Sequence, residues 1–492
     1  MKENVMNFKH VLPRLSVLAA AAVLAACSTL PAAEPPKVDL PPAFAQGQGL
    51  KPGVLAQPDW WTVLGDPTLD ELVVQGLAAN LDLQQAAERV QRSRALASGR
   101  RAELAPSGGV GVGGLAQQLG RVEAPGLDGD ARRSEIVSAG LNFSWEIDLF
   151  GRLRQQVNAA GARSDAVAAD AEALRLAVGA EIAQVWFALN GAREQLRLTH
   201  AVVENRRATL SLVLRRVSAG YNAPLDEARA RAELSAAESE LPAQGAALAV
   251  ATHRLAVLLG VSPTGFQAPK PPDGAPRPVA LHLPEPTLWM ALRPDLKSAE
   301  AQLRAQALDV AAIRAEFMPR LSVSGVLGFV AGSLSGLGAA GSASWFLAPS
   351  LSIPVFDLGR IDARLQAAQA GQREALLSYR QRVLLATEEV ESALVLVRQG
   401  QVRLAALQDR ARHAVTAEGL ARKRFEAGGS DLLELLDAQR GAQQAELGLS
   451  AALTAQRQQV VALQRALGAR FLPETGASQG PRLATAPQAA RL

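Results

Sequence analysis

The chain has 492 residues, 48% of them hydrophobic but only 4% aromatic, and its 51 basic and 47 acidic side chains leave a formal net charge of +4. So small and evenly spread an excess excludes nucleic-acid binding by phosphate neutralisation, and a single cysteine excludes a disulfide framework or a thiolate metal cluster. No uncharged apolar run reaches the eighteen or so residues of a spanning helix, which excludes a helical membrane transporter.

In chain order, Lys2, Lys9 and Arg14 form a basic start, and Leu15 to Ala26 is an apolar stretch too short to span a bilayer. It runs into Leu24-Ala25-Ala26-Cys27-Ser28, which resembles the bacterial lipobox. The resemblance implies that residues 1–26 are a lipoprotein signal peptide and that Cys27 becomes the lipidated N-terminus. The alternative is an ordinary signal peptide cleaved near Ala26 beside an incidental cysteine. Ser28 stands where an aspartate would imply retention at the inner membrane. Either way the chain is read into a bacterial envelope.

Residues 27–78 follow as an N-terminal arm and equatorial segment, rich in Pro, Ala and Gly as far as Pro58. Helical patterns dominate afterwards. From Leu153, small or apolar residues recur at Val157, Ala160, Ser164, Val167, Ala171, Leu174 and Val178, shift once at Ile182, and continue through Val185, Leu189, Ala192, Leu196, Thr199, Val203, Leu210, Val213 and Val217. Steps of three and four are a coiled-coil seam, and the shift is a stutter. No proline interrupts 152–219, a span of about 100 Å as helix. Residues 359–427 form a second uninterrupted segment of similar length. Shorter helices are expected at about 79–104, 225–260, 295–317 and 432–470. Each pair, stacked end to end, would match one long helix. Pro-rich 263–292 links two halves, and 473–492 reads as a disordered tail.

The halves, 79–262 and 293–472, repeat. Asp82-Leu83 with Ala102-Glu103-Leu104-Ala105-Pro106 recurs as Asp295-Leu296 with Ala315-Glu316-Phe317-Met318-Pro319. Asp148-Leu149-Phe150-Gly151-Arg152 recurs as Asp357-Leu358-Gly359-Arg360. Ser218-Ala219-Gly220 before Leu225-Asp226 recurs as Glu426-Ala427-Gly428 before Leu433-Glu434. Each half reads helix, two strands, long helix, short helix.

The strands lie at about 107–148 and 319–356. Val137, Ala139, Leu141, Phe143, Trp145 and Ile147 alternate with small or polar residues, as do Leu321, Val323, Leu327 and Phe329, and Ala343, Trp345, Leu347 and Leu351. Val110 to Leu115 is Gly-rich and a weaker strand. An apolar face opposite a small, polar one fits a barrel with a lipid side and a wet lumen, although any one segment also fits a soluble sandwich. Two hairpins cannot close a barrel, and open edges are not tolerated in lipid. Pooling strands from three copies gives twelve, an even number of adequate size.

At this point the residues resemble the TolC-like outer-membrane factors. The strand–strand–long helix repeat with its Asp-Leu-Phe-Gly-Arg and Asp-Leu-Gly-Arg motifs carries the resemblance. The lipobox, Trp60-Trp61 and Leu64-Gly65-Asp66-Pro67-Thr68-Leu69-Asp70-Glu71-Leu72 look like the OprM/NodT lipoprotein branch. The resemblance implies a predominantly α chain with a membrane β part: a homotrimer whose twelve-stranded β-barrel, four strands per chain, continues as a long coiled-coil α-barrel. It implies an outer-membrane exit duct of a tripartite, RND-type efflux system for small molecules. The partners implied are a periplasmic adaptor, an inner-membrane pump and outer-membrane lipid, without nucleic acid. No catalytic residue and no cofactor is implied beyond the lipid on Cys27. A duct for type I protein secretion, or a lipid-anchored coiled-coil spacer, remain as alternatives.

By the same resemblance, Gly220 and Gly428 mark the periplasmic tips, with Asp226 and Phe425 beside them at the adaptor contact. Leu433 matches an apolar gate residue, and Glu434 and Asp437 match acidic pore positions. Three chains would bring six carboxylates together, repelling one another unless protonated or ion-bound. Read by spacing alone, Asp431 caps the following helix, Glu434 completes a capping box and Asp437 is solvated. Ser430 stands where some relatives place a latch arginine opposite Asp226. Gly336 to Gly341 fits a dinucleotide-binding pattern but lies between two strands, so it reads as a hairpin loop. His200, His253, His282 and His413 lack metal-ligand spacing, and Arg89, Arg92, Arg94, Arg100 and Arg101 read as a solvated helix face.

Overall fold

The computed structural model describes residues 43–47, 51–52, 59–272 and 282–468. Cys27, the signal peptide and residues 473–492 lie outside the described residues. The chain divides into two compact units. One comprises residues 87–170 and 295–382 and contains the large sheet. The other comprises 39–86, 171–294 and 383–492 and contains both helix reversals. Among the described residues, no helix is long and apolar enough to cross a membrane.

Helix α1 (Pro67–Ala79) lies beyond the Pro-rich stretch that ends at Pro58, in the equatorial part of 27–78. Gly65, at φ 68°, ends a preceding helical turn, Asp66 accepts from the Leu69 N–H at 3.1 Å, and Pro67 occupies the first helical position. The buried Trp186 indole donates to the other Asp66 oxygen at 2.7 Å. Asn80 then separates α1 from α2 (Leu81–Ala102): it is extended, and its Oδ1 accepts from the Asp82 and Leu83 amides. Helix α2 thus fills residues 81–102 of the helix expected at 79–104, with Asn80 as the cap at its start.

The long helices are α3 (Arg152–Ser218) and α7 (Leu358–Glu426), with α4 (Pro224–Leu258), α5 (Pro286–Leu292), α6 (Pro294–Arg314) and α8 (Leu432–Ala466) completing the helical elements. Of the expected α3 positions from Val178 onward, Val178, Ile182, Leu189, Thr199, Val203 and Val213 are buried, whereas Val185, Ala192, Leu196, Leu210 and Val217 are half-buried. Nearer its start the buried residues are Ala159, Ala162 and Ala166, not Val157, Ala160 and Ser164. Here the helix turns alanines toward its neighbours in the chain, which lets backbones approach closely. The larger side chains remain half-exposed.

Each long helix begins at a strand-to-helix corner. At the first, Gly151 takes φ 78°, Asp148 accepts from the Leu153 and Arg154 amides, and Arg152 holds Glu146 through both oxygens at 2.8 Å. The Asp-Leu-Phe-Gly-Arg motif is thus a cap, a left-handed turn and an ion pair that together redirect the chain. In the shorter second copy, Asp357 pairs with Arg360 at 3.0 Å and the helix starts directly at Leu358.

The sheet is antiparallel, in the order β1 (Ser107–Gln118), β2 (Arg133–Ile147), β3 (Arg320–Ala331), β4 (Ala343–Ser352). Gly-rich β1 is a full twelve-residue strand. Its pairing with β2 fixes a register that its own weak pattern does not reveal. Across the sheet, Val110, Leu141, Leu327 and Trp345 form one row, and Val112, Ala139, Phe329 and Ala343 the next. The apolar parity therefore stays on one face through all four strands, and Val110, Leu327 and Trp345 are exposed there. The other face carries Gly111, Gly140, Gly328 and Ser344 in a row, beside Ser144 paired with Ser324. Leu115 with Ile136, Val330, and Val326 with Phe346 are its apolar exceptions. The outer edges of β1 and β4 have no strand beside them among the described residues. Gly336 to Gly341 falls in the β3–β4 connection, as expected of a loop.

Gly328 faces Gly140 at the tightest crossing of the sheet: a Cβ at Gly328 would stand 2.3 Å from the Ala139 carbonyl oxygen. Gly328→Val should therefore break the β2–β3 pairing, costing roughly 1–3 kcal/mol. Gly111→Val, where a Cβ meets nothing within 4 Å, should be tolerated. Thermal melts of the two variants by circular dichroism check this.

Candidate functional site at the helix reversals

Both long helices end in the same way. After α3, the Gly220 N–H bonds the Val217 carbonyl at 3.0 Å and the Tyr221 N–H reaches back to Arg216 at 2.8 Å. After α7, Gly428 bonds Phe425 at 3.0 Å and Gly429 reaches Arg424 at 2.8 Å. The two glycines have φ 79° and 77°, a left-handed conformation that side chains other than glycine rarely adopt. Each glycine stands between a long helix and the shorter one that follows it.

A small core ties the reversals together. Phe425, 1% exposed, packs with Val213, Ala230, Ala421, Leu432, Leu435 and Leu436, residues drawn from α3, α4, α7 and α8. The Arg216 guanidinium lies 4.5 Å above the Phe425 ring and donates to the Phe425 carbonyl. Phe425 therefore orders the turn from within and offers no surface of its own in the chain. Asp226 accepts from Asn222 at 2.8 Å and has Arg229 at 3.9 Å, both from its own repeat. No arginine of the second repeat meets it among the described residues, and the Ser430 hydroxyl is buried without a partner.

Asp431 caps α8 as expected, accepting from the Glu434 N–H at 2.8 Å. Glu434 does not complete the capping box. Its carboxylate takes Arg424 from across the turn at 2.9 Å, a charged partner that outcompetes a neutral amide. Leu433, Asp437 and Arg440 lie on one exposed stripe of α8, at steps of four and three. Asp437 is 61% exposed and pairs with Arg440 at 3.3 Å. Arg440 also approaches Glu233 of α4 at 3.4 Å.

Behind this stripe lies a buried polar cluster. Arg206, 3% exposed, donates to Gln439 and, at 3.3 Å, to Gln443, with Glu233 at 3.7 Å. Gln439 in turn donates to Asn205 at 2.6 Å and Thr209 at 2.9 Å. Burial pulls the Arg206 guanidinium below its ordinary pKa, and Glu233 partly restores it. A guanidinium remains charged under such a shift, so the cluster anchors α8 to α3 with a fixed cation.

Sequence reasoning found the two glycines and the acidic positions. It missed Arg206, Arg216, Arg424 and Arg440, whose partners lie on other helices or across a turn. It also missed Tyr221, which is 79% exposed beside exposed Leu225. A tyrosine directly after the reversing glycine, one of only two in the chain, was the available signal.

Comparison with known proteins covers nearly all of this architecture. A family described as outer membrane efflux protein matches residues 72–261 and 287–469. The chain is 32% identical over 466 residues to outer membrane protein OprJ of Pseudomonas aeruginosa, covering 92% of this chain and 95% of OprJ. It is also 32% identical over 474 residues to the pyoverdine export outer membrane protein OpmQ of Pseudomonas putida, covering 93% and 97% respectively. The solved outer-membrane channel OprN matches with a TM-score of 0.84 at 34% identity, over 90% of this chain and all of that one.

The tip core generates a direct test. Phe425→Ala should cost about 3–5 kcal/mol locally. Hydrogen exchange should then accelerate in the peptides around Val213 and Leu435, and leave the sheet unchanged. Equal protection in variant and parent would remove Phe425 from its organising role.

Proposed function

The chain belongs to the outer membrane efflux protein family and is an outer-membrane channel of an efflux system. On that premise we propose that it works as a homotrimer, a passive gated duct receiving small molecules from a periplasmic adaptor and an inner-membrane pump. One observation carries this reading: an apolar face held in register across four strands, bounded by two unpaired edges. Hydrocarbon suits the face but not the edges, and closure with two further copies satisfies both.

The long helices then serve as the periplasmic wall, and the reversals are its tips. Exposed Tyr221 and Leu225 give the adaptor apolar footholds there. Lipid on Cys27 adds an anchor, and the lipobox carries that part of the reading. The name of OpmQ, given to export of a small molecule, supports small-molecule efflux over protein secretion for this chain.

Leu433, Glu434 and Asp437 form the gate in this reading. Each carboxylate has an arginine of its own chain close by, so three copies need not assemble six uncompensated charges. Asp437, the more exposed, faces the passing ions, and Arg440 tempers its charge. A ring of this kind selects cations by field strength, and salt screens it.

The reconstituted protein should form conducting, cation-preferring channels in planar bilayers, and a bilayer-inert protein contradicts the duct. Asp437→Ala should weaken the cation preference, whereas Arg440→Ala should strengthen it. Reversal potentials in a salt gradient measure both, and unchanged potentials would take the pair out of the gate.

A further inference from the structure

The unit bearing the sheet also holds a groove of about 830 Å³ between α2, α3 and α6, closed at one side by Gln372 of α7. Its floor is small and apolar, with Val157, Leu308 and Val310 among its residues. Three arginines line it: Arg304, which pairs with Asp165 on the same lining, Arg101 from the last turn of α2 and Arg314 from the last turn of α6. Among the described residues, Arg101 and Arg314 have no carboxylate partner. The neighbouring acids are engaged elsewhere: Glu103 with Arg100 at 2.9 Å, Glu316 with Arg364 at 2.7 Å, Asp165 with Arg304 at 2.7 Å, and Asp309 with Arg163. The helix C-terminal carbonyls offset part of the two free charges, and the groove stays net positive.

We propose that this groove binds an anionic amphiphile, a single carboxylate, sulfonate or phosphate head on an apolar body. Arg101 and Arg314 take the head, and the Val157–Leu308–Val310 floor takes the body. The volume is that of a small-molecule site, and the lining combines apolar with polar and charged side chains, as an amphiphile requires. A guanidinium offers the planar donors that such heads accept. Gly161 on the wall supports the assignment: a Cβ there would meet nothing within 4 Å, so packing does not require glycine, and its lack of a side chain leaves the groove open.

The site's chemistry does not depend on the duct reading, and its test reads the groove directly. The full-length protein in detergent is irradiated with a decanoic acid carrying a diazirine, and the labelled peptides are mapped by mass spectrometry. Saturable labelling is expected in peptides containing Gln155–Asp165 and Arg304–Arg314. The methyl ester of the probe should label these peptides roughly tenfold less, as should Arg101→Gln with Arg314→Gln, from loss of charge-assisted bonds. Gly161→Leu should block labelling by filling the groove while favouring the helix. Suppression by soluble decanoate assigns the groove to a transported anion, and suppression by phosphatidylglycerol alone assigns it to membrane lipid. Labelling spread evenly along the chain, equal labelling by the ester, or suppression by neither competitor would overturn the site. Bilayer conductance tests the duct separately, so either idea can fail while the other stands.

Discussion

Unpaired backbone at the two edges of the sheet is the constraint on which the rest depends. Every N–H and C=O on the outer sides of β1 and β4 needs a partner, and each one left bare in hydrocarbon costs several kcal/mol. In water those edges could be hydrated. The apolar row of Val110, Leu141, Leu327 and Trp345 argues against water on that face. A single chain therefore carries two contradictory features, a face suited to lipid and edges that lipid rejects. Closure with further copies removes the contradiction. Strands of ten to fifteen residues are long enough to cross a bilayer at a tilt.

The same economy of satisfied groups governs the helical part. Small residues at the start of α3 let helices approach, and key polar groups that become buried are paired, whereas the Ser430 hydroxyl and the Gln464 amide are not. Asp66 holds both a helix start and the Trp186 indole, while Arg206 is enclosed by Gln439, Gln443 and Glu233. At the reversals, arginines stand beside the acids that would otherwise repel one another in an assembly. Much of the near-balance between 51 basic and 47 acidic residues is local, built from pairs such as Arg424–Glu434 and Arg152–Glu146.

Much of this was legible in the sequence because it rests on periodicity and backbone chemistry. Period-two alternation located three strands, and a glycine after each long helix located the reversals. The Asp-Leu-Phe-Gly-Arg motif was visible as a repeat, but its work as cap, turn and ion pair depends on Glu146 six residues upstream and on a corner that only folding makes. Gly-rich β1 looked weak because its register comes from β2, not from its own side chains. Helix α1, before Asn80, escaped the periodicity altogether. Glu434 was misassigned for the same reason that Arg206 was overlooked: local spacing favours the nearest amide, whereas tertiary structure brings in a stronger charged partner.

Disulfide capture between copies tests the central claim most directly. Cys27 is the only cysteine, and the lipid proposed on its sulfur leaves no free thiol to compete. A cysteine placed at Gly111 on β1 is combined with a second cysteine scanned through β4, and the protein is oxidised in native outer membranes. Paired edges bring some of these positions within the roughly 7 Å that a disulfide spans. The account predicts intermolecular crosslinks over a short window of β4, at alternate positions, giving a ladder that ends at three chains. No crosslink along the whole of β4, or a ladder that ends at another number, would contradict it.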